Sequence, residues 1–424
     1  MNSRERVQLS LNHKEGDRVP IDIGAGFQTG MHVQPVYRLR QALGLDEPGT
    51  PVKVIEPYQM LGEIKPDLLA AVSGDIIGIN PKGTMFGYTC DDWKPWTTFD
   101  GTPVLVPGKF NTDIDADGAL LQYPEGDKSA PPSGRMPKGG FYFDSIIRQP
   151  PIDDASLDVE DNLEEFGPIS EQNLQYFSHE INQAYNETDK AVYANFGGTA
   201  FGDIALVPAP WLKNPRGIRD VEEWYISTAT RKDYVKKVFQ RQGEIAMENL
   251  KKIYEVVGNR VDVVFMTGTD FGGQDRPMLS TANYKDLFMP FHKKLNDWIH
   301  QNTTWKTFIH SDGALMPLIP HFIDAGFDVL NPIQWTASNM DPLVLKKKFG
   351  DKLVFWGGGV DTQKTLPFGT PDEVRNELKQ RIMDFAPGGG WVFTTVHNVQ
   401  PFVPAENLLA MYETIIKFGS YSNK

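Results

Sequence analysis

The chain is poor in residues on which several classes of protein depend. Cys90 is its only cysteine, which excludes an internal disulfide framework and a cysteine-rich zinc or iron–sulfur site, and we expect it to be structural. No run of eighteen apolar residues occurs, and the charged N-terminus is unlike a secretion signal. We therefore expect a cytoplasmic protein without a membrane partner, in which any metal is held by histidine and carboxylate.

Positive charge is also scarce. The 42 lysines and arginines are outnumbered by 55 aspartates and glutamates, which gives a formal net charge of -13. Nucleic acid is not an expected partner, because a surface that binds phosphate backbones needs clustered basic residues. The sequence leaves the oligomeric state open, with a homodimer as one option.

The remaining pattern is a repeated alternation of short apolar runs and longer stretches of helical period. Apolar residues recur at three- and four-residue spacing, which predicts helices, in 281–302, 314–325, 340–349 and 371–385. Thr370 precedes the last stretch as a cap, and Pro371 lies in its first turn. Eight such units predict an α/β fold, a (β/α)8 TIM barrel that occupies residues 1–424 as a single domain. The predicted strands are 18–24, 74–80, 191–198, 261–268, 306–310, 327–332, 352–359 and 391–398.

Residues from about 81 to 150 interrupt this alternation. They are rich in Gly, Pro, Asp and aromatic residues, and Asp-Gly pairs separate short alternating runs. We expect a small antiparallel β insertion after the second strand, placed over the barrel mouth, with a separate inserted domain as the alternative. Its aromatic residues could form an apolar lid or pack on one another: Trp93, Trp96, Phe141, Tyr142 and Phe143.

In a barrel of this kind the active groups lie at the carboxyl ends of the strands, and that rule selects the candidate site residues. His310 and His397 end predicted strands, and Asp312 follows His310 in a His-x-Asp pattern. Two imidazoles and one carboxylate can hold a divalent metal and leave one position open. Hydrogen-bonded pocket residues are the alternative reading of the same pattern. Further candidates at strand ends are Asp270, Gln274, Asn331, Gln334, Asp361 and His32.

Several long motifs carry a resemblance to a known family. They are "SRERVQLSLNHKEGDRVPID", "TGTDFGGQDRPMLS", "HSDGALMPLIPHFIDAGFDVLNPIQ", "LVFWGGGVDTQKTLPFGTPDEV" and "PGGGWVFTTVHNVQPFVPAENLLAMYE". Together they resemble the uroporphyrinogen decarboxylase superfamily, and more narrowly its branch of corrinoid- and coenzyme M-linked methyltransferases. The resemblance also implies a (β/α)8 barrel.

Two departures from the family pattern bear on function. The arginine-rich motif that grips the substrate's propionates in true uroporphyrinogen decarboxylases is absent from "GAGFQTGMHVQPVYRLRQALG". In the methyltransferase branch a His-x-Cys pair and a later cysteine hold zinc. The resemblance places His310 on the histidine, Asp312 on the first cysteine and His397 on the second. Oxygen and nitrogen ligands therefore replace both sulfurs.

These observations lead to an expected function and its alternatives. We expect a zinc-dependent methyltransferase that moves a methyl group from a small O-methyl substrate, or an N-methyl one, to a corrinoid carried by a partner protein. Asp270 and Gln274 would serve catalysis, and Asn331, Gln334, Asp361 and His32 would bind substrate. A decarboxylase of a smaller acid that uses Asp75 or Asp270, and a non-catalytic protein that binds a corrinoid or small ligand, are the alternatives.

Overall fold

The computed structural model describes residues 1–163, 167–197 and 201–421, and it is built from one parallel sheet, two smaller sheets and surrounding helices. The strands are β1 (Val52–Glu56), β2 (Leu61–Gly62), β3 (Ile76–Ile79), β4 (Lys94–Thr97), β5 (Pro103–Val106), β6 (Thr112–Ile114), β7 (Leu120–Gln122), β8 (Gly134–Met136), β9 (Asp144–Ser145), β10 (Ala191–Asn195), β11 (Val263–Thr267), β12 (Lys306–His310), β13 (Val329–Asn331), β14 (Val354–Trp356) and β15 (Trp391–Val392). The helices are α1 (Ser3–Leu11), α2 (Val33–Ala42), α3 (Pro66–Ala71), α4 (Glu171–Glu187), α5 (Val221–Thr230), α6 (Lys232–Val257), α7 (Thr281–Asn283), α8 (Met289–Asn302), α9 (Ile319–Asp324), α10 (Pro342–Phe349), α11 (Thr365–Phe368), α12 (Pro371–Phe385) and α13 (Ala405–Phe418).

The parallel sheet contains seven strands in the order in which the chain supplies them. The order is β3, β10, β11, β12, β13, β14 and β15, and every neighbouring pair is parallel. Each return between parallel strands needs a crossover segment, and helices occupy these connections. Seven of the eight predicted strands are thereby confirmed, the strand at 191–198 as far as its described residues reach.

The first predicted strand, 18–24, is the exception and is corrected here. Its residues form only isolated bridges, although this segment still hydrogen-bonds to both edges of the sheet. Phe393 N donates to Pro20 O and Asp22 N donates to Phe393 O, while Asp75 N donates to Ile21 O. Pro20 has no N–H to donate, so a regular ladder cannot run through it.

Helix positions follow the predicted stretches, although α9 and α10 are shorter than the predicted 314–325 and 340–349. The stretch 281–302 is helical throughout, with a π-helical turn at Tyr284–Phe288 between α7 and α8. At α12, Thr370 accepts from Glu373 N in a capping box, as its sequence predicts. The stretch 314–325 yields only α9, because Pro317 and Pro320 lack the N–H groups that an earlier start would need. Among the described helices, none is both long and apolar enough to cross a bilayer.

The insertion follows β3, the second predicted strand, as expected, but contains two sheets. Both predicted Asp-Gly hairpins are present, at Asp100–Gly101 between β4 and β5 and at Asp117–Gly118 between β6 and β7. Strands β6 to β9 make an antiparallel sheet. Strand β5 also pairs in parallel with β1, so the second sheet is mixed. This sheet therefore includes residues 52–62, which precede the insertion in the chain.

Alternate residues of the parallel strands fill the inside of the curled sheet. One buried cluster contains Phe265, Phe308, Val329 and Trp356 of these strands. Val7 and Leu11 of helix α1 belong to the same cluster. Successive side chains in a strand point to opposite faces, so residues two positions further along share that inner face. The inner face therefore continues from Phe308 to His310 and from Val329 to Asn331.

Candidate metal centre

Three side chains meet at the carboxyl ends of β12 and β15. His310 ends β12 and is 7% exposed, Asp312 follows it, and His397 lies in the loop after β15. Among the described residues these three could hold a metal ion, since one ligand atom from each lies within 4.8 Å of the others. The strand-end rule and the His-x-Asp spacing thus bring together the three residues that they single out.

The distances between these side-chain atoms suit tetrahedral coordination of one cation better than direct hydrogen bonds between the side chains. Asp312 Oδ2 lies 3.6 Å from His310 Nε2 and 3.5 Å from His397 Nε2. Both distances exceed the usual hydrogen-bond range. Ligand bonds of about 2.0–2.1 Å at tetrahedral angles would separate the donor atoms by roughly 3.3 Å. The residues present could therefore hold a tetrahedrally coordinated divalent metal with three protein ligands and one open position.

The negative charge of Asp312 and the two imidazoles shift one another's pKa values. Burial alone would lower the pKa of His310, but Asp312, helped by Asp270, raises it to about 9. Burial opposes ionisation of Asp312, yet His397 and His310 hold its pKa below the usual value. Burial lowers the pKa of His397, and Asp312 opposes this effect. A carboxylate between two imidazoles attracts a cation, and a cation at Nε2 of His310 would replace the proton there.

Asp270 supports the cluster from the loop after β11. Its Oδ1 accepts from the backbone N of Asp312 at 2.7 Å and so fixes the chain next to a candidate ligand. Burial, followed by the negative charge of Asp312, raises the pKa of Asp270 above its usual value. A carboxyl group that keeps its proton closer to neutral pH is suited to general acid catalysis.

Gln334 and Gln274 form a chain of hydrogen bonds that begins at Gly313, next to Asp312. Gln334 Oε1 accepts from Gly313 N at 2.7 Å, and its Nε2 donates to Gln274 Oε1 at 3.3 Å. Gln274 Nε2 in turn donates to Thr336 O at 2.9 Å. Both amides lie beside the candidate ligand loop, and the catalytic role of Gln274 and the substrate-binding role of Gln334 remain predictions.

Glycines let the loops approach closely around the centre. Gly313 has φ +90°, and a Cβ there would meet Gly272 C at 2.4 Å. A Cβ on Gly359 would meet Thr394 O at 2.5 Å, so a glycine there permits close backbone packing. Side chains at Gly272 or Gly313 would push the Asp270 and Asp312 loops apart.

Asp203 is a further acidic residue of this region, and sequence reasoning missed it. It lies in the loop after β10, where burial raises its pKa to about 6 and the charge of His310 partly opposes the rise. Its own charge contributes to the raised pKa of Asp270. The available signal was a Phe-Gly-Asp sequence downstream of a strand end, which is too common to select a site residue.

Other predicted site residues lie outside the three-residue group. His32 is buried, accepts from Gln34 N through Nδ1 and lies 2.8 Å from Phe141 O through Nε2, so both ring nitrogens have protein partners. Burial lowers its pKa to about 4. The carboxylate of Asp361 accepts from Gln363 N at 2.8 Å within its own turn.

Asn331 ends β13 and is 1% exposed. Its Oδ1 lies 2.6 Å from His310 Nδ1, and its Nδ2 donates to Trp356 O at 2.9 Å. The amide that was predicted to bind substrate thus contacts a candidate metal ligand directly.

The aromatic residues of the insertion divide between its interior and its surface. Trp96 and Phe143 pack on Phe110 inside the insertion. Phe141 packs on Phe402 with ring centroids 4.3 Å apart, and Tyr142 is 47% exposed. Trp96 and Phe143 therefore pack within the insertion, whereas Phe141 is half-buried and Tyr142 is exposed.

The fold and the site define an α/β protein with a parallel, curled sheet and a histidine–carboxylate centre at the carboxyl ends of its strands. Residues 147–418, more than half of the chain, match the family model for uroporphyrinogen decarboxylase (URO-D). The chain belongs to this family.

Individual relatives match over shorter stretches. The chain is 28% identical over 151 residues to the uroporphyrinogen decarboxylase of Pseudoalteromonas translucida (strain TAC 125), which covers 35% of this chain and 40% of that protein. It is 26% identical over 135 residues to that of Psychromonas ingrahamii (strain DSM 17664 / CCUG 51855 / 37), covering 31% and 35%. Less than half of each relative is matched.

A solved structure of a methyltransferase from Methanosarcina mazei shares the fold. It has a TM-score of 0.51 over 99% of both chains at 14% sequence identity. At this identity the likeness concerns the fold alone.

Proposed function

We propose that this member of the URO-D family is a zinc-dependent methyltransferase. It would take a methyl group from a small O-methyl substrate, or less favourably an N-methyl one, and pass it to a corrinoid carried by a separate protein. The observation that carries the proposal is the group formed by His310, Asp312 and His397. The shared fold of a protein named as a methyltransferase agrees with it. We also propose that the 20–22 segment completes a (β/α)8 barrel with the seven strands.

The ligand set favours an oxygen-bound methyl group over a thiol. His310, Asp312 and His397 would hold the ion, which when bound would supply a Lewis acid stronger toward oxygen than a thiolate-rich zinc. The three protein ligands leave one coordination position for the substrate. A methyl ether, whose oxygen must accept charge as the methyl group leaves, is the substrate type that gains most from this arrangement.

Asp270 would complete the reaction by supplying a proton. As the bond between oxygen and methyl carbon breaks, its electron pair would stay on the oxygen, and the methyl group would bond to the partner's corrinoid through an electron pair that the reduced corrinoid supplies. The oxygen then needs a proton, and burial keeps one on Asp270 to a higher pH than usual. Solvent would afterwards reprotonate the carboxylate.

The surface near the centre would receive an apolar substrate or the partner. Phe141 packs against Phe402, which follows His397 by five residues and is 52% exposed. Phe402 also has φ +69°, a strained conformation for a bulky residue. The exposed Phe402, together with the half-buried Phe141, would suit a methoxylated aromatic ring.

Uroporphyrinogen itself fits the site poorly. The two arginines in the segment where the family motif would lie are paired with acids: Arg40 is buried between Asp46 and Asp67, and Arg38 lies 3.9 Å from Asp100. The propionates of a porphyrinogen need cationic side chains that are free to bind them.

A decarboxylase of a smaller acid is the second candidate, since the family and two relatives are named uroporphyrinogen decarboxylase. One of its two proposed acids is fully engaged elsewhere. Asp75 is completely buried before β3 and binds Arg6, Arg18 and Ile21 N. Asp270 would have to polarise the substrate in this reaction.

Metal analysis and a methyl-transfer assay test the proposal together. Purified protein should contain about one zinc per chain. His310→Ala and His397→Ala should lose the zinc while unfolding cooperatively, and both should lose methyl transfer to a purified corrinoid protein, followed by corrinoid absorbance. Methoxylated aromatics and small methylated compounds form the substrate panel.

The matched control is His300→Ala. His300 lies on α8, away from the candidate centre, and pairs with Asp328. Replacing His300 should leave zinc content and methyl transfer unchanged. Stoichiometric zinc in both His310→Ala and His397→Ala would overturn the metal assignment.

A further inference from the structure

We propose that Asn331 is a positioning residue that keeps a proton on Nδ1 of His310, so that Nε2 can offer its lone pair to a cation. The inference rests on the proposed metal centre and assigns to Asn331 a role through His310 in place of direct contact with substrate.

The amide of Asn331 can be oriented in only one way. Its register partner in the parallel pairing of β12 and β13 is His310, so both side chains point to the inner face. A backbone carbonyl only accepts hydrogen bonds, and Trp356 O lies 2.9 Å from one end of the amide. That end must be the Nδ2 group. The oxygen therefore faces His310.

This orientation determines the protonation of the imidazole. Asn331 Oδ1 is 2.6 Å from His310 Nδ1, and an amide oxygen can only accept. The hydrogen must then reside on Nδ1. In a neutral ring the proton on one nitrogen leaves the other as a free donor atom for a metal.

Asn331 cannot readily turn away from this contact. Its backbone O accepts from Ser311 N at 2.7 Å, which ties β13 to the residue after His310. A Cβ on Gly357 would come within 3.3 Å of Asn331 Nδ2, so the chain of the neighbouring loop packs close to the amide. The side chain is held on both sides.

Asp312 makes this positioning necessary. Its carboxylate lies on the Nε2 side of His310 and would favour a proton on Nε2 in the neutral ring. That tautomer would block the donor atom needed by the cation. Asn331 Oδ1 and the Asp312 carboxylate thus compete for the single proton of the neutral ring. Asn331 favours the tautomer with the proton on Nδ1, which leaves Nε2 free.

Three variants separate this role from a general effect on folding. Asn331→Leu removes the acceptor at similar size, and Asn331→Asp restores an acceptor at the same place. Asn296→Leu is the matched control, because Asn296 is a fully buried amide that donates to Ala325 O at 2.9 Å and lies on α8.

Zinc affinity is measured by competition with a chelator. Asn331→Leu should bind zinc about 10–100-fold more weakly, the range found for second-layer partners of metal ligands. Asn331→Asp should recover most of the loss, and Asn296→Leu should bind as the unmodified protein does. Unchanged affinity in a folded Asn331→Leu, or an equal loss in Asn296→Leu, would overturn the inference.

The protonation state is read separately by ¹⁵N NMR of histidine-labelled protein, with His310 assigned from the spectrum of His310→Ala. Nδ1 should carry hydrogen in zinc-loaded protein and also in metal-free protein at a pH above the His310 pKa of about 9, where the ring is neutral. Asn331→Leu should lose this preference in the neutral, metal-free ring. A neutral ring protonated at Nε2 in the unmodified protein would contradict the inference. Because the metal-free spectrum requires no zinc, a protein that binds none would overturn the proposed function while leaving this test intact.

Discussion

Asp312 stands where the family resemblance places a cysteine, and its carboxylate is the common neighbour of both histidines. If it makes the metal harder toward oxygen, Asp312→Ala should reduce zinc affinity by more than about 100-fold, beyond the loss typical of second-layer partners, and abolish transfer from an O-methyl donor. Asp312→Cys should restore zinc affinity and leave ether demethylation impaired, because a thiolate lowers Lewis acidity. Chelator competition and corrinoid absorbance measure the two effects.

Asp324→Ala is the control for the Asp312 variants, since Asp324 is an exposed carboxylate near the end of α9. Full ether activity in Asp312→Cys would show that ligand hardness is unimportant even if the site is correct. Retained zinc and rate in Asp312→Ala would reduce Asp312 to a residue of the pocket wall.

At the residue scale, the sequence predicts those side chains whose position depends on a strand end. His310 and His397 follow apolar runs, and His-x-Asp spacing carries Asp312 to the same side. Asp203 depends instead on the path of a loop, which no short pattern encodes. Asn331 was selected correctly as a strand-end residue, but its partner is set by the register of β12 against β13.

At the scale of elements, prediction works where a hydrophobic run is bounded by strong signals. The boundaries of β12 agree with the predicted 306–310, and the cap of α12 agrees at Thr370. It fails at 18–24, where Pro20 interrupts an otherwise strand-like run. It also misses the parallel pairing of β1 with β5, because pairing between distant segments depends on tertiary packing that local pattern does not show.

The end of β1 makes a pH-dependent contribution to stability. Glu56 is buried, its carboxylate accepts from Tyr58 N and Gln59 N, and burial raises its pKa to about 7. The raised pKa means that its contribution is fully present below the unfolded value and is lost as pH rises through about 7. Its share of the free energy of unfolding should fall by roughly 3 kcal/mol between pH 4.5 and pH 8.

Denaturant midpoints at pH 5 and pH 8 test this contribution of Glu56. Glu56→Gln should reduce the difference between the two midpoints, because it removes the titrating group and keeps a polar side chain. Glu244→Gln, on the exposed side of α6, should retain the difference. An unchanged difference in Glu56→Gln would mean that Glu56 does not titrate in this range.

At the scale of the whole molecule, the curled sheet joins residues that lie far apart in the chain. His310 and His397 meet because β12 and β15 end at the same edge, and Asn398 Nδ2 donates to Gln59 Oε1 at 2.6 Å, connecting the candidate centre to the mixed sheet. The order of seven of the eight predicted strands was predictable from the repeated pattern, whereas the strand predicted at 18–24 is absent from the sheet. The shifts in pKa at Asp270 and Asp203 were not predictable, since they arise from burial and from charges brought close only by the complete fold.

The charge distribution of the whole molecule leads to the last prediction, which concerns uroporphyrinogen. The chain carries a formal net charge of -13, and the carboxylate of Asp312 lies at the centre, so the protein would repel a substrate with several carboxylates. Arg38 and Arg40 already have acidic partners. We therefore expect no detectable decarboxylation of uroporphyrinogen by zinc-loaded protein, with the Pseudoalteromonas translucida uroporphyrinogen decarboxylase as positive control. Products would be measured as porphyrins after oxidation, and turnover of order 1 per second would overturn the methyltransferase assignment in favour of the family's named reaction.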